Sequence, residues 1–233
     1  MPDSEPPAER PLFFDPNLNI IFGITLLAVL GVSSVAPVFP SVARELEVSP
    51  EAVGLLITVF TLPGIVLTPL FGVLADRLGR KKVLVPALLL FSLAGASCSL
   101  ARDFQLLLLL RFLQGVGAAS LGSLNATLIG DLFRGRKMTQ AMGYNASILS
   151  IGTAVYPSLG GALATLGWYV PFALPILGLV VAAAVLFRLE AVEVEPNAGL
   201  ESYLREALTG MKNRKVLGLF LVSDREPLSI QEI

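Results

Sequence analysis

The sequence predicts an all-α membrane protein that folds as a bundle of six transmembrane helices. Hydrophobic residues make up 54% of the chain and charged residues only 15%, against about 25% charged in a soluble domain. Six apolar stretches are long enough to cross a bilayer core, which takes about 20 helical residues. None of them alternates as a membrane strand does. Lipid is therefore the expected solvent for most of the chain.

The first three stretches are residues 18–40, 51–75 and 83–101. Pro37 and Pro40 stand near the outer end of the first stretch, and this pair predicts a broken or flexible helix there. The second stretch runs into the basic turn G-V-L-A-D-R-L-G-R-K-K, and the third begins directly after it.

The last three stretches are residues 104–130, 139–163 and 167–189. The fourth is longer than one crossing needs, so we expect it to tilt or to protrude from the bilayer. The fifth is rich in glycine, and all six contain more Gly and Pro than soluble helices usually tolerate. The connections are short, which makes neighbouring helices antiparallel.

The distribution of Lys and Arg predicts the orientation of the chain. The amino-terminal tail, two turns and the segment after the sixth stretch share one side, with 13 cations: Arg10, Arg77, Arg80, Lys81, Lys82, Arg134, Arg136, Lys137, Arg188, Arg205, Lys212, Arg214 and Lys215. The opposite side has 2, Arg44 and Arg102. Because cationic loops remain in the cytoplasm, both termini are expected there, in a multi-pass protein of the cell membrane.

The segments outside the six stretches are predicted from composition. Residues 1–17 are acidic and proline-rich, which favours a disordered cytoplasmic tail over a cleaved signal peptide. Residues 191–215 are expected to form a cytoplasmic central loop, in which 199–212 resembles an interfacial amphipathic helix. Residues 216–233 begin like a seventh span and then turn polar. We interpret them as a truncated seventh helix followed by an aberrant tail; a short apolar patch at a frayed terminus is the alternative.

Composition also excludes several functions. The chain has no His, its net charge is −1, and its single cysteine, Cys98, lies within an apolar stretch. Without His, a paired acid in a span or a Cys cluster, neither an enzyme nor a metal site is expected. No filter-like ring of groups indicates a channel, and no phosphate-binding loop indicates ATP drive. No cofactor and no nucleic-acid partner are predicted.

The turn between the second and third stretches carries the most specific motif, consisting of Gly72, Asp76, Arg77, Gly79, Arg80 and Lys81. Its first glycine lets a helix pack closely, its second permits a tight reversal, and the following arginine can reach a carboxylate on another helix. The turn resembles the G-x-x-x-D-R-x-G-R-R/K loop of the major facilitator superfamily. The resemblance implies a conformational switch that latches the two halves of a transporter in the outward-facing state. A loop that only sets topology is the alternative.

The fourth stretch contains Arg111 within an apolar run, followed by Gln114 and Gly115 on the same helix face. A cation there costs roughly 2.5–3.5 kcal/mol on insertion scales, so we expect it to face a cavity or the bundle interior. Snorkelling to the outer interface is the alternative. The string R-x-x-Q-G-x-G-A resembles the helix-four motif of the same family, which implies a role in proton transfer or substrate binding.

The fifth stretch contains G-T-A-V-Y-P-S-L-G-G-A-L, whose small residues allow close helix contact in lipid. It resembles the antiporter motif G-x-x-x-G-P-x-x-G-G of the family, with matches at Gly152, Pro157, Gly160 and Gly161. Tyr156 stands where that motif has its second glycine. Plain helix packing is the alternative to an antiporter function.

The six apolar stretches have carboxylates only at or next to their ends. Asp131 closes the fourth stretch and is expected to pair with Arg80, as carboxylates do at this place in the family; an exposed pair worth about 0–1 kcal/mol is the alternative. No acid lies well inside any stretch. A proton-coupling carboxylate would therefore belong to a second half, or be Asp76 or Asp131.

The resemblance covers residues 18–222 and implies the amino-terminal half of a drug/H+ antiporter-like transporter. In that family, two inverted three-helix repeats form one bundle, and the substrate lies between two bundles. The expected function is therefore secondary active transport of small organic solutes or drugs. Three states of this chain remain open: a truncated inactive product, a half that works with a partner chain, and a homodimer. A non-transporting membrane scaffold is a further alternative.

Overall fold

A computed structural model describes residues 11–189, all of it helical or turn. The α-helices are α1 (Pro16–Ser33), α2 (Phe39–Glu45), α3 (Pro50–Leu78), α4 (Arg80–Ser97), α5 (Phe104–Leu132), α6 (Gly135–Ala164) and α7 (Gly178–Arg188). Short 3-10 turns lie at Leu12–Phe14, Ala36–Val38, Cys98–Leu100 and Val170–Leu177. Within this part of the chain, six helical segments are long and apolar enough to cross a membrane, which confirms the predicted fold class.

Local chemistry sets where the helices begin. The carboxylate of Asp15 accepts hydrogen bonds from the amides of Asn17 at 2.8 Å and Leu18 at 3.2 Å, which caps α1. Ser49 caps α3 and Asp103 caps α5 in the same way. These caps satisfy amides that have no hydrogen-bond partner within the helix.

The first span is broken, as its proline pair predicts. α1 ends at Ser33, a 3-10 turn follows at Ala36–Val38, and α2 carries the chain on to Glu45. Proline has no amide to donate, so the helix ladder cannot run unbroken through Pro37 and Pro40.

The sixth span differs from the predicted helix over 167–189. Its outer half, Val170–Leu177, is a 3-10 helix, and the α-helix starts only at Gly178. Pro171 and Pro175 lie in the 3-10 segment, and each removes one amide from an α-helical ladder. Apolar length predicted the span but not its helix type.

The helices pack in a pattern that repeats itself. α3 packs on α5, α5 on α1, and α1 on α6, while α4 and α7 pack on each other; α4 also contacts α5, and α7 also contacts α1. This pattern is unchanged when spans one to three are exchanged with spans four to six. Because three crossings reverse the direction of the chain, the two halves of the bundle are inverted repeats.

Burial is uneven along the bundle. α1, α4 and α5 supply most of the large buried side chains, whereas α6 buries only Ala141, Gly152 and Gly160 over its 30 residues. Three exposed hydroxyls of α6 are bonded to its own backbone: Ser147 donates to Gly143, Ser150 to Ala146 and Thr153 to Leu149. α3 also has a long exposed apolar face. These two helices flank the open side of the bundle.

The ends of the chain are described only in part. Of the predicted disordered tail 1–17, residues 11–17 differ from the prediction, because they hold the Leu12–Phe14 turn and the start of α1. The predicted central loop 191–215, its amphipathic segment 199–212 and the predicted seventh helix and tail 216–233 lie outside the described residues.

Candidate functional site

The turn between α3 and α4 brings its predicted residues into one ion cluster. Gly79 is the single residue between α3 and α4, and its φ of +96° lets the chain reverse within that one residue. The guanidinium of Arg80 pairs with Asp76, one turn earlier, and its Nε donates to Asp131 Oδ2 at 3.0 Å. Arg80 is 12% exposed, so both pairs are partly shielded from solvent. One arginine thus joins the ends of α3 and α5.

The remaining residues of this turn have different surroundings. Asp76 and Arg77 are exposed, and a Cβ at Gly72 would meet no atom within 4 Å. Lys81 donates to the carbonyl of Leu189 at 3.4 Å, immediately after α7. The turn is therefore linked to the end of the sixth span, while the Asp76 side of it stays open.

Arg111 points into the bundle and is 1% exposed. Its Nη1 donates to the carbonyl of Gly31 and to Gln114 Oε1, both at 2.8 Å, and its Nε donates to the carbonyl of Leu56 at 3.2 Å. The guanidinium carbon lies 4.4 Å from the centre of the Phe60 ring, an arrangement that attracts a cation. One side chain therefore links α1, α3 and α5.

Arg111 differs from most buried cations because its hydrogen-bond partners are neutral and not carboxylates. No ion pair within residues 11–189 involves it. Its Nη2 and the Nε2 of Gln114 are buried without a hydrogen-bond partner in the described part of the chain. These are the groups with which an incoming ligand or carboxylate would pair most favourably.

Gly115 marks the closest approach between α5 and α3. A Cβ added there would overlap the backbone carbonyl of Phe60. The glycine that follows the Arg111–Gln114 pair therefore has a packing role, which brings α3 close enough for Arg111 to reach Leu56.

The glycines of α6 are placed along its contact with the first span. A Cβ at Gly160 would overlap the carbonyl of Ser34, directly at the break after α1. A Cβ at Gly152 would lie 3.1 Å from Leu26. Gly161 and Pro157 are only partly buried, beside the half-buried Tyr156. The structure thus brings Gly152 and Gly160, but not all four predicted residues, into a tight contact.

Sequence reasoning missed a ring of neutral polar side chains in α1, α5 and α6. Asn125 Nδ2 donates to Thr25 Oγ1 at 2.7 Å and to the Ile21 carbonyl at 3.0 Å. Asn145 Nδ2 donates to Asn125 Oδ1 at 2.9 Å, and Thr25 Oγ1 lies 2.5 Å from Asn145 Oδ1. Asparagine within an apolar run was the available signal, because its carboxamide needs partners in lipid.

Residues 21–224 match the Major Facilitator Superfamily. The Bacillibactin exporter of Bacillus subtilis is 36% identical over 163 residues, which cover 67% of this chain and 40% of the exporter. Multidrug resistance protein 2 of the same species is 29% identical over 190 residues, covering 81% of this chain and 48% of that protein. The quinolone resistance protein NorA of Staphylococcus aureus is 29% identical over 153 residues, 66% of this chain and 39% of NorA.

The fold has a counterpart among solved structures. The human organic anion transporter MFSD10 superposes with a TM-score of 0.66 at 18% identity, over 84% of this chain and 52% of that one. This chain thus spans less than half the length of the three bacterial relatives it matches. The match over residues 21–224 shows that the chain belongs to the Major Facilitator Superfamily.

Proposed function

We propose that this chain is one six-helix half of a secondary active transporter for small organic solutes or drugs. In this proposal the chain lies in the cell membrane with both termini in the cytoplasm. The names of the relatives, an exporter and two resistance proteins, support organic solutes as cargo. The excess of cations at the α3–α4 and α5–α6 turns supports the orientation.

The observation that carries the proposal is the ion cluster of Asp76, Arg80 and Asp131. Asp131 holds Arg80 from within the bundle, while Asp76 is bound on one side and exposed on the other. A second bundle that docks at this turn would contact the exposed side of Asp76 and the neighbouring Arg77. Such a contact forms in one orientation of the bundles and breaks in the other, which is what a switch requires.

The open sides of α3 and α6 support a carrier made of two bundles. α3 exposes Ile65 and Val66 by 75% and 70%, and α6 exposes Ile151 and Val155 by 55% and 52%. Substrates of this kind of transporter lie between two bundles that rock against each other. We propose that a second six-helix bundle covers these faces.

Proton coupling is also part of the proposal. Every Asp and Glu within residues 11–189 lies at or beyond a helix end. Asp76 and Asp131 are the carboxylates nearest to the α3–α4 turn, where the second bundle would dock. Any other proton-coupling carboxylate would belong to the second bundle. Arg111 would then serve as a fixed positive charge that attracts an anionic group of the cargo or a carboxylate of the second bundle.

The test is gradient-driven uptake of norfloxacin, a quinolone, by proteoliposomes that contain the full chain at high and low protein density. If two copies complete the carrier, we expect uptake per protein to rise with density. No uptake above protein-free liposomes at either density would contradict transport by this chain alone.

The same assay tests the ion cluster. Arg80→Asp and Asp131→Arg each place like charges together, so both should lower uptake at least about 10-fold, the equivalent of about 1.4 kcal/mol. The double variant restores opposite charges and should recover part of the rate. If the double variant transports no better than the singles, the Arg80–Asp131 pair has no role in transport.

A further inference from the structure

A cavity of about 660 Å³ lies between the Leu12–Phe14 turn and the connection from α5 to α6. Phe14 and Phe133 form part of its apolar wall, and Lys137 and Gln140 form part of its polar wall. This volume lies within the range of sites that bind small organic molecules, about 300–1,000 Å³. The cavity lies at the end of the bundle that carries the cations, and its lining includes neither Arg111 nor any residue of α3.

Aromatic side chains mark one edge of this cavity. Phe14 is 67% exposed and Phe13 is 41% exposed. Phe13 packs edge-on against Phe14 and against Tyr144 of α6, with ring centroids 5.6 and 5.7 Å apart. Aromatic rings near the ends of spanning helices are typical of the boundary between acyl chains and headgroups.

Two cations are next to the cavity lining in the sequence. Arg134 and Arg136 lie between Phe133 and Lys137, which both line the cavity. Both arginines are exposed, and neither has an ion pair within residues 11–189. Of the nearby acids, Asp131 pairs with Arg80, and Asp15, which lines the cavity, accepts hydrogen bonds from the amides that it caps. The first turn of α6 also lacks a side-chain cap, so its positive dipole end adds to the same field.

We propose that this cavity binds the headgroup of an anionic phospholipid of the cytoplasmic leaflet. The phosphate lies near Arg134 and Arg136, and the acyl chains leave past Phe14 into the bilayer. A basic recess beside an apolar edge fits a lipid better than a soluble anion, because the lipid uses both surfaces. In the cell, this inference rests on the proposed orientation of the chain; it does not depend on transport.

The test is native mass spectrometry of the full chain released from nanodiscs that contain phosphatidylglycerol and phosphatidylcholine in equal amounts. Both leaflets have the same composition, so the outcome is independent of orientation. Arg134→Gln/Arg136→Gln removes the two cations, and Arg134→Lys/Arg136→Lys keeps them. Arg44→Gln/Arg102→Gln is the matched control, because it removes two cations from the opposite end. Phe14→Ala removes the apolar edge without a change of charge.

We expect wild-type protein and the Lys variant to retain phosphatidylglycerol selectively. The Gln variant should retain it about 30-fold less, equivalent to about 1 kcal/mol per cation. Phe14→Ala should weaken retention, and the control at the opposite end should match wild type. Equal retention of the two lipids by wild type, or unchanged selectivity in the Gln variant, overturns the proposal. Displacement of the lipid by millimolar inorganic phosphate alone also overturns it, because the site would then recognise a soluble anion.

Discussion

At the scale of single residues, Arg111 shows how this bundle accommodates a charge that lipid would reject. Its hydrogen bonds go to two backbone carbonyls and one carboxamide, and the Phe60 ring covers its face. The carbonyls come from two other helices, so the guanidinium joins three helices without an ion pair. Its planar shape is essential, because several donors must point in fixed directions at once.

We expect Arg111→Lys to lower the free energy of unfolding by about 1–3 kcal/mol, although the charge is kept. An ammonium cannot replace both the Nε and the Nη1 contacts from one position. Thermal unfolding in detergent, followed by circular dichroism, measures the loss.

Arg102→Lys is the control, because the Arg102 side chain is exposed and its guanidinium lies over the Tyr169 ring. It should cost less than about 1 kcal/mol. If both Lys variants unfold at the same temperature, the buried contacts of Arg111 do not stabilise the bundle.

The polar ring around Asn125 leads to a second prediction at this scale. Thr25→Val keeps the shape of the side chain but removes the hydroxyl that contacts both carboxamides. We expect a loss of about 0.6–1.7 kcal/mol, the range measured for hydrogen bonds between membrane helices. Thr25→Ser retains the hydroxyl and should unfold close to wild type. A loss in Thr25→Ser with none in Thr25→Val would show that the methyl group, not the hydroxyl, matters.

At the scale of elements, contact between α5 and its neighbours depends on residues without a side chain. Lipid gives no hydrophobic drive for helix association, so close packing must supply it. Gly115 lies against the backbone of Phe60, and Gly117 lies against α4, where a Cβ would meet the carbonyl of Ala87 at 2.7 Å. α5 is therefore held from two sides by backbone contacts.

Gly115→Ala should separate α5 from α3 and lower the unfolding temperature, because backbone at the contact cannot move aside cheaply. Its cost should reach about 1–3 kcal/mol, the usual range for overpacking. Gly122→Ala is the matched control on the same helix, since a Cβ there meets no atom within 4 Å. It should be neutral or slightly stabilising. Equal effects of the two substitutions would contradict the tight contact.

The sequence predicted the membrane-spanning helices more completely than the side-chain contacts between them. Apolar length and cationic turns gave all six spans, and the proline pair gave the break in the first. The 3-10 start of the sixth span was missed, because apolar length does not distinguish helix types. For the site, the family resemblance implied the Arg80–Asp131 pair, and the cost of a cation in lipid predicted that Arg111 faces inward. Neither revealed the Thr25–Asn125–Asn145 ring, which depends on how three helices meet.

At the scale of the whole molecule, the proposed orientation predicts which side of the membrane each turn faces. Cys98 is buried and is the chain's single cysteine, so Cys98→Ala gives a background for thiol labelling. Within it, Lys82→Cys should be protected from a membrane-impermeant maleimide in intact cells and labelled after permeabilisation. Arg44→Cys should be labelled in intact cells. The reverse pattern would contradict the orientation and would move the lipid site to the outer leaflet.

Three exposed hydroxyls of α6 affect how this side of the bundle tolerates contact with lipid. Ser147, Ser150 and Thr153 each donate to a carbonyl one turn back, so their protons are already used. These three side chains therefore present no free hydroxyl proton to acyl chains. In the proposed two-bundle carrier, the three hydroxyls would need only to rotate in order to donate to the second bundle. The hydrogen bonding of these hydroxyls is thus compatible with a proposed second bundle that docks on α6 after insertion into the membrane.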